Sequence, residues 1–305
     1  MISKNYLITI VGPTAIGKTA LSIQLANYFK ADIISCDSRQ FYKEMTIGTA
    51  VPNTDELASA AHHFIQNRSV FDDYNVGSFE RDALSKLDEL FQKNPVQIMV
   101  GGSGLYVDAV LKGLDYFPDV DPKIREELTN QLQEKGIETL QEKLKELDPE
   151  TYHSIAIDNP HRIMRALEIC IGAEMPYSTF KNKPKTPRNF TSIKIGLNAE
   201  REVIYNRINI RVDNMLANGL LEEAEKLYPN KDLNALQTVG YRELFSFFEG
   251  EFTLEFAISE IKKNTRRFAK RQGTWFKKDE ETLWFDYQTN INEIITKISD
   301  KINDI

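Results

Sequence analysis

Cysteine is nearly missing: Cys36 and Cys170 are the only two in 305 residues. They lack pairing spacing and neighbouring ligand histidines, which argues against a disulfide framework and a structural zinc, and points to a reducing compartment. No run approaches the eighteen apolar residues of a membrane span, and the apolar stretch after Lys4 is too short for a signal sequence. The expected location is therefore the cytoplasm. Internal repeats and low-complexity tracts are also missing. With 41% hydrophobic and 27% charged residues the chain reads as globular, neither fibrous nor disordered, and its length suggests about two domains.

What is present begins with Gly12-Pro13-Thr14-Ala15-Ile16-Gly17-Lys18-Thr19, behind the apolar run Tyr6 to Val11 and ahead of a helical pattern from Lys18 to about Phe29. Glycines permit close backbone approach, loop amides converge on phosphate oxygens, Lys18 neutralises them, and Thr19 can hold magnesium. A diphosphate or triphosphate is the expected ligand of this loop.

Two further absences narrow the chemistry. The strand Val96 to Val100 runs into Gly101-Gly-Ser-Gly104 where an ATP-driven motor carries a water-ordering acid. The guanine-reading pattern of asparagine, lysine, any residue, aspartate does not occur, which excludes a GTPase switch. Asp37 is the one well-placed carboxylate, at the carboxyl end of the apolar run Asp32 to Cys36, the ligand edge of a parallel sheet. By position it is either a magnesium ligand or a base facing an acceptor.

Alternation of strand and helix predicts an α/β fold, a doubly wound parallel sheet like that of P-loop NTPases. From 118 to 193 the texture changes to short charged helices, with Asp121, Asp148 and Asn159 each capping a helix that starts on proline. We read 118–193 as an inserted helical domain, and 1–117 with 194–305 as the catalytic core. Ser192 to Leu197 is expected as a strand returning to the sheet, with helices filling most of the chain thereafter.

Net charge is −7, yet between Lys262 and Lys278 there are eight positive charges and no negative one. On a helix from Leu254 to Gln272, Leu254, Ile258, Ile261 and Phe268 fall on one side, while Lys263, Arg266, Arg267 and Lys270 form a cationic ridge suited to a polyanion. Trp275 and Phe276 offer stacking to bases. In the helix after Asn159, Arg162 and Arg165 flank an apolar stripe, placed either for phosphate contact or for pairing with Glu168. Trp284 and Phe285 read as core.

The chain closely resembles, nearly end to end, the bacterial tRNA dimethylallyltransferases. The resemblance rests on GPTAIGKT, on Asp37-Ser38-Arg39-Gln40, Tyr42 and Met45 to Ala50, on Ala61-His62-His63, and on Val100 to Tyr106. It continues through Asn159-Pro-His161-Arg162, Arg165 to Glu168, Gln237 to Arg242, and Lys270 to Trp275.

That resemblance implies that the loop holds the diphosphate of dimethylallyl diphosphate. Thr14 and Lys18 would stabilise the leaving group with magnesium at Thr19, and Asp37 would act as general base toward the exocyclic amine of an adenosine beside the anticodon. It implies tRNA anticodon stem-loop contacts at Asp37, Ser38, Arg39, Gln40, Ser103, Arg125, His161, Arg162, Ile163, Met164, Arg165, Gln237, Arg242, Lys270 and Arg271. Ser103 stands where the family commonly has threonine, keeping the hydroxyl. His62 and His63 match a family segment but admit a structural role. No membrane partner is expected, and the chain is expected as a monomer. Two other readings share some features: a metabolite kinase of the shikimate-kinase kind, which lacks a reason for the helical insertion, and a nucleotide-gated RNA-binding protein, which has no need of Asp37.

Overall fold

The computed structural model describes residues 4–303, which divide into two compact units, 4–112 with 188–303 and 113–187. In the first, β1 (Tyr6–Val11) leads through the phosphate loop to α1 (Lys18–Phe29), then to β2 (Ile33–Ser35), α2 (Thr54–Ser59), β3 (His62–His63), α3 (Val76–Phe91), β4 (Val96–Val100) and α4 (Gly104–Lys112). The second consists of α5 (Pro122–Lys135), α6 (Ile137–Leu147), α7 (Pro149–Ser154) and α8 (Pro160–Gly172). The chain then returns to the first unit with β5 (Thr191–Asn198), α9 (Arg201–Ala217), α10 (Leu220–Leu227), α11 (Tyr241–Phe248), α12 (Leu254–Phe276), β6 (Leu283–Asp286) and α13 (Ile291–Asn303). Among the described residues no helix is long and apolar enough to cross a membrane.

The six strands form one sheet in the order β3-β2-β4-β1-β5-β6, with every neighbouring pair parallel. Strand side chains alternate between faces. Tyr6, Ile8 and Ile10 of β1 therefore pack with Leu21 and Leu25 of α1 and Ile294 and Ile298 of α13. Leu7 and Val11 point the other way, toward Phe79, Ala83 and Leu87 of α3 and Val107 and Val110 of α4. Both faces being covered, β1 is buried at all six positions, which is why it reads as a run that is apolar at every position but Thr9. A third core, centred on the fully buried Tyr241, joins α10, α11 and α12 to Tyr42 and Met45. Each such side chain contributes roughly 1.5–3 kcal/mol by burial.

Two strands were not foreseen. The carboxyl-terminal region is not helical throughout: Leu283–Asp286 pairs with β5, and Trp284 lies over Gly196, where any side chain would collide with the indole. His62 and His63 form the edge strand β3. His63 Nε2 lies 2.8 Å from Asp32 Oδ2, and His62 Nδ1 lies 2.8 Å from the Ala60 carbonyl.

In the second unit the three proline starts are capped as expected. The Asp121 side chain accepts from the Lys123 amide at 2.9 Å, Asp148 from Thr151 at 2.9 Å, and Asn159 from His161 at 3.1 Å and Arg162 at 3.3 Å. Leu128, Leu140, Leu144, Ile163 and Leu167 supply its core.

Candidate active site

Three loops leave the carboxyl ends of the adjacent strands β2, β4 and β1, which is where an open parallel sheet places its ligand. They carry Asp37, Gly101 to Ser103, and the Gly12 to Thr19 loop respectively.

The phosphate loop is shaped by its own backbone. Gly12 has φ 139°, and a Cβ there would strike the Leu197 carbonyl of β5, so only glycine lets the loop pass this close to the sheet. Gly17 caps α1 without a side-chain hydrogen bond, leaving the first-turn amides for a ligand. Lys18 Nζ donates to the carbonyls of Gly12 at 3.0 Å and Pro13 at 2.8 Å, folding its ammonium back across the loop. Burial and the neighbouring Arg211 lower the Lys18 pKa to about 8, against the opposing pull of Asp37.

Arg211 comes from α9, outside the loop. Its Nη1 donates to Thr14 Oγ1 at 3.3 Å, and burial lowers its own pKa while Asp37 and Glu56 oppose that shift. One turn earlier, Arg207 Nε donates to the Ala15 carbonyl at 2.7 Å. Arg207, Arg211 and Asn214 share one helix face, and all three line the cavity above the loop. This cationic wall went unread in the sequence, although the spacing of four and three was there to see.

Two cavities meet at this point. One, of about 500 Å³, is lined by Thr14 to Ala20, Gln40, Glu56, His62 and the α9 face. The other, of about 460 Å³, is lined by Ser38, Ser103, Tyr106, Val212, Met215, Val239, Phe268 and Trp275 among others, and is mainly apolar. Thr14, Asp37, Thr49 and Arg211 belong to both. Asp37 therefore lies in the partition between a chamber lined by the phosphate loop, Lys18, Arg207 and Arg211 and one with mainly apolar walls. Its Oδ1 accepts from the Arg39 amide at 3.1 Å.

Thr19 lines the first chamber together with the carboxylates of Asp37 and Glu56. Among the described residues no group of three or more His, Cys, Asp or Glu could hold a metal ion. This donor set fits magnesium bound chiefly through phosphate oxygens and water, with Thr19 as a protein ligand.

The remaining expected contacts divide. Ser103 Oγ accepts from the Ser38 amide at 3.1 Å and lies 3.1 Å from the Ser38 hydroxyl, so both line the second chamber. Gln40 turns inward, its Nε2 donating to the carbonyls of Thr49 at 3.3 Å and Ala50 at 2.9 Å. Arg39 grips the carbonyls of Asn234 and Ala235, each at 3.0 Å. Gln237 and Arg242 are exposed, while Thr238 to Gly240 between them line the second chamber.

On α12 the expected packing of Phe268 is not observed: it is 38% exposed and lines the chamber's wall, while Ala257, Ile261, Ala269, Gln272 and Phe276 face inward. The ridge is also narrower than its charges. Lys262 pairs with Asp213 at 2.6 Å, Lys263 with Glu260 at 2.7 Å, and Arg266 donates to Asn209 at 2.8 Å. Arg267, Lys270 and Arg271 stay exposed, and Arg271 borders the chamber.

In the second unit, Glu168 is held by Arg125 at 2.7 Å and Arg165 at 3.3 Å, while His161 and Arg162 are exposed. Ile163 at 0% and Met164 at 6% exposure point into the core, so their side chains are packing groups; any contact there would fall to the residues around them.

The family model described as IPP transferase matches residues 40–279. A tRNA dimethylallyltransferase of Flavobacterium psychrophilum is 64% identical over 304 residues, covering 98% of this chain and 99% of the relative. One from Christiangramia forsetii is 62% identical, covering 98% and 99%. Among solved structures, a tRNA isopentenylpyrophosphate transferase from Bacillus halodurans superimposes with a TM-score of 0.74 at 36% identity, covering 99% of this chain and 98% of its own.

Proposed function

Because the chain belongs to the IPP transferase family, we propose that it moves the dimethylallyl group of dimethylallyl diphosphate onto the exocyclic amine of the adenosine 3′ of the anticodon, in tRNAs reading codons that begin with U. The observation that carries this reading is the position of Asp37 in the partition between the two chambers. Diphosphate fits the first, with its array of loop amides, Lys18, Arg207 and Arg211. An extruded adenine fits the second, with apolar walls and the exposed Trp275 and Phe268 at its edge.

The exocyclic amine is a weak nucleophile because its lone pair is delocalised into the ring. As its nitrogen bonds to the allylic carbon, the bond from that carbon to the diphosphate oxygen breaks, and the proton shed by nitrogen passes to Asp37. Thr14, Lys18 and Arg211 stabilise the charge that develops on the departing oxygen. Magnesium, held at Thr19, would supply further neutralisation of the diphosphate. The amine attacks the allylic carbon directly, so no covalent enzyme intermediate is needed.

The exposed cations Arg267, Lys270 and Arg271, and in the second unit Arg162, suit an RNA backbone, and a cytoplasmic monomer agrees with this reading. The kinase alternative is not favoured, the relatives being named as tRNA-modifying transferases. The test is incubation with labelled dimethylallyl diphosphate, magnesium and either unmodified tRNA or AMP. Label is expected in tRNA and little in AMP; productive consumption of ATP with no use of the isoprenoid donor would overturn the reading.

A further inference from the structure

Gln272 belongs to α12, yet its side chain ends between two loops of the sheet. It is 5% exposed. Its Oε1 accepts from the Thr14 amide at 2.8 Å, and its Nε2 donates to the Gly102 carbonyl at 2.9 Å. A planar amide that uses its acceptor on one loop and its donor on the next fixes their separation as no apolar side chain of equal volume would. Gly102 makes room for it, since a Cβ there would overlap the Gln272 amide nitrogen.

The path continues beyond the bridge. Ser103, next to Gly102, accepts from the Ser38 amide, and Ser38 follows Asp37. A short chain of covalent and hydrogen bonds thus runs from Thr14 on the leaving-group side, through Gln272, Gly102, Ser103 and Ser38, to Asp37 on the acceptor side. The same bridge withdraws the Thr14 amide from the loop groups left for phosphate, so what Thr14 offers a diphosphate is its hydroxyl, already oriented by Arg211.

We infer that Gln272 is a positioning residue for the transfer step: it sets the spacing between the diphosphate cradle at Thr14 and the acceptor side at Asp37. The inference rests on the prenyl-transfer reading above. Reacting atoms about 3–3.5 Å apart tolerate little error, and a misplacement of about 1 Å costs on the order of 100-fold in rate.

The test compares the full-length parent with Gln272→Met, which keeps the volume and removes both hydrogen bonds. With tRNA and dimethylallyl diphosphate each varied to saturation, kcat is expected to fall roughly 10- to 100-fold, while either KM shifts by less than about threefold. Gln272→Glu keeps the acceptor under the Thr14 amide and loses the donor, so it is expected to recover part of the rate. If Gln272→Met does not fold, as judged by circular dichroism, Gln272→Glu carries the same kcat-against-KM test against the parent. A parent-like kcat in the variants, or a loss confined to KM, overturns the inference while leaving the prenyl-transfer reading standing. A parent that transfers no dimethylallyl group overturns both.

Discussion

The Arg211 guanidinium donates to the Thr14 hydroxyl at 3.3 Å, and both groups line the two chambers that meet at Asp37. On the proposed prenyl-transfer reading, Arg211 supplies positive charge to the departing oxygen from a helix remote in sequence from the loop. Arg211→Gln is expected to lower kcat by ~10²–10³-fold, with tRNA binding in a filter assay unchanged.

Asp37→Asn keeps the shape of the partition and removes the proton acceptor. Turnover is expected to drop by ~10²–10⁴-fold. Inorganic pyrophosphate should bind the variant at least as well as the parent in calorimetry, because a negative charge beside Lys18 and Arg211 has been neutralised.

Lys18 gives a pH signature. Its pKa in the ligand-free protein is lowered to about 8, first by burial and then by Arg211. A bound diphosphate favours the ammonium and raises that value, so above about pH 8 binding must take up a proton at Lys18 and affinity must weaken as pH rises. Pyrophosphate calorimetry at pH 8.5 in buffers of different ionisation enthalpy should show this uptake in the parent. Lys18→Arg should lack that component, because arginine stays protonated throughout. Folding stability follows the same sign: the unfolded lysine holds its proton to higher pH than the folded one, so this group's contribution improves between about pH 8 and its ordinary value.

Glu223 holds the turn that leads into Thr49, a residue shared by the two chambers. Its carboxylate accepts from the amides of Thr46 at 3.0 Å, Ile47 at 2.8 Å and Gly48 at 2.9 Å, and from the Tyr241 hydroxyl at 2.7 Å. Burial, and then the carboxylate itself, push the Tyr241 pKa up, so the phenol remains a donor. Glu223→Gln turns one acceptor oxygen into a donor facing other donors, and urea denaturation should register a loss of about 2–4 kcal/mol. Tyr241→Phe should cost less, about 1–2 kcal/mol.

The narrowed ridge of α12 is testable by salt. Arg267→Ala and Lys270→Ala should each reduce the slope of log affinity for tRNA against log salt by roughly 0.7–0.9. Lys262→Ala and Lys263→Ala should leave that slope nearly as it is, since those ammonium groups already pair with Asp213 and Glu260.

The parts legible in the sequence were those with a local cause. The phosphate loop is written in eight consecutive residues, β1 in a run that is apolar but for Thr9, and the starts of α5, α7 and α8 in a capping side chain followed by proline. What stayed hidden depends on distant partners. β3 and β6 are two and four residues long and exist because β2 and β5 offer them an edge. Arg211 and Gln272 become site residues only once α9 and α12 lie against loops that precede them by some two hundred positions or more. Phe268 was misplaced because a helical wheel knows two environments, core and water, whereas α12 also borders a chamber. Ile163 and Met164 lay within a motif whose exposed members, His161, Arg162 and Arg165, alternate with packing positions.

The sheet order has a bearing on biosynthesis. β1 is flanked by β4 and β5, and its partner Thr191–Asn198 leaves the ribosome long after Tyr6–Val11. At about 5–20 residues per second that gap lasts on the order of 10–40 s. Throughout it the nascent chain carries an unpaired strand edge that is apolar but for Thr9, and only after the segment up to residue 286 has emerged is the sheet closed on that side. Such an open edge is a template for pairing with other chains, and a ribosome stalled inside α8, before β5 is made, would release a product whose phosphate loop is spelled out yet has no strand behind Gly12.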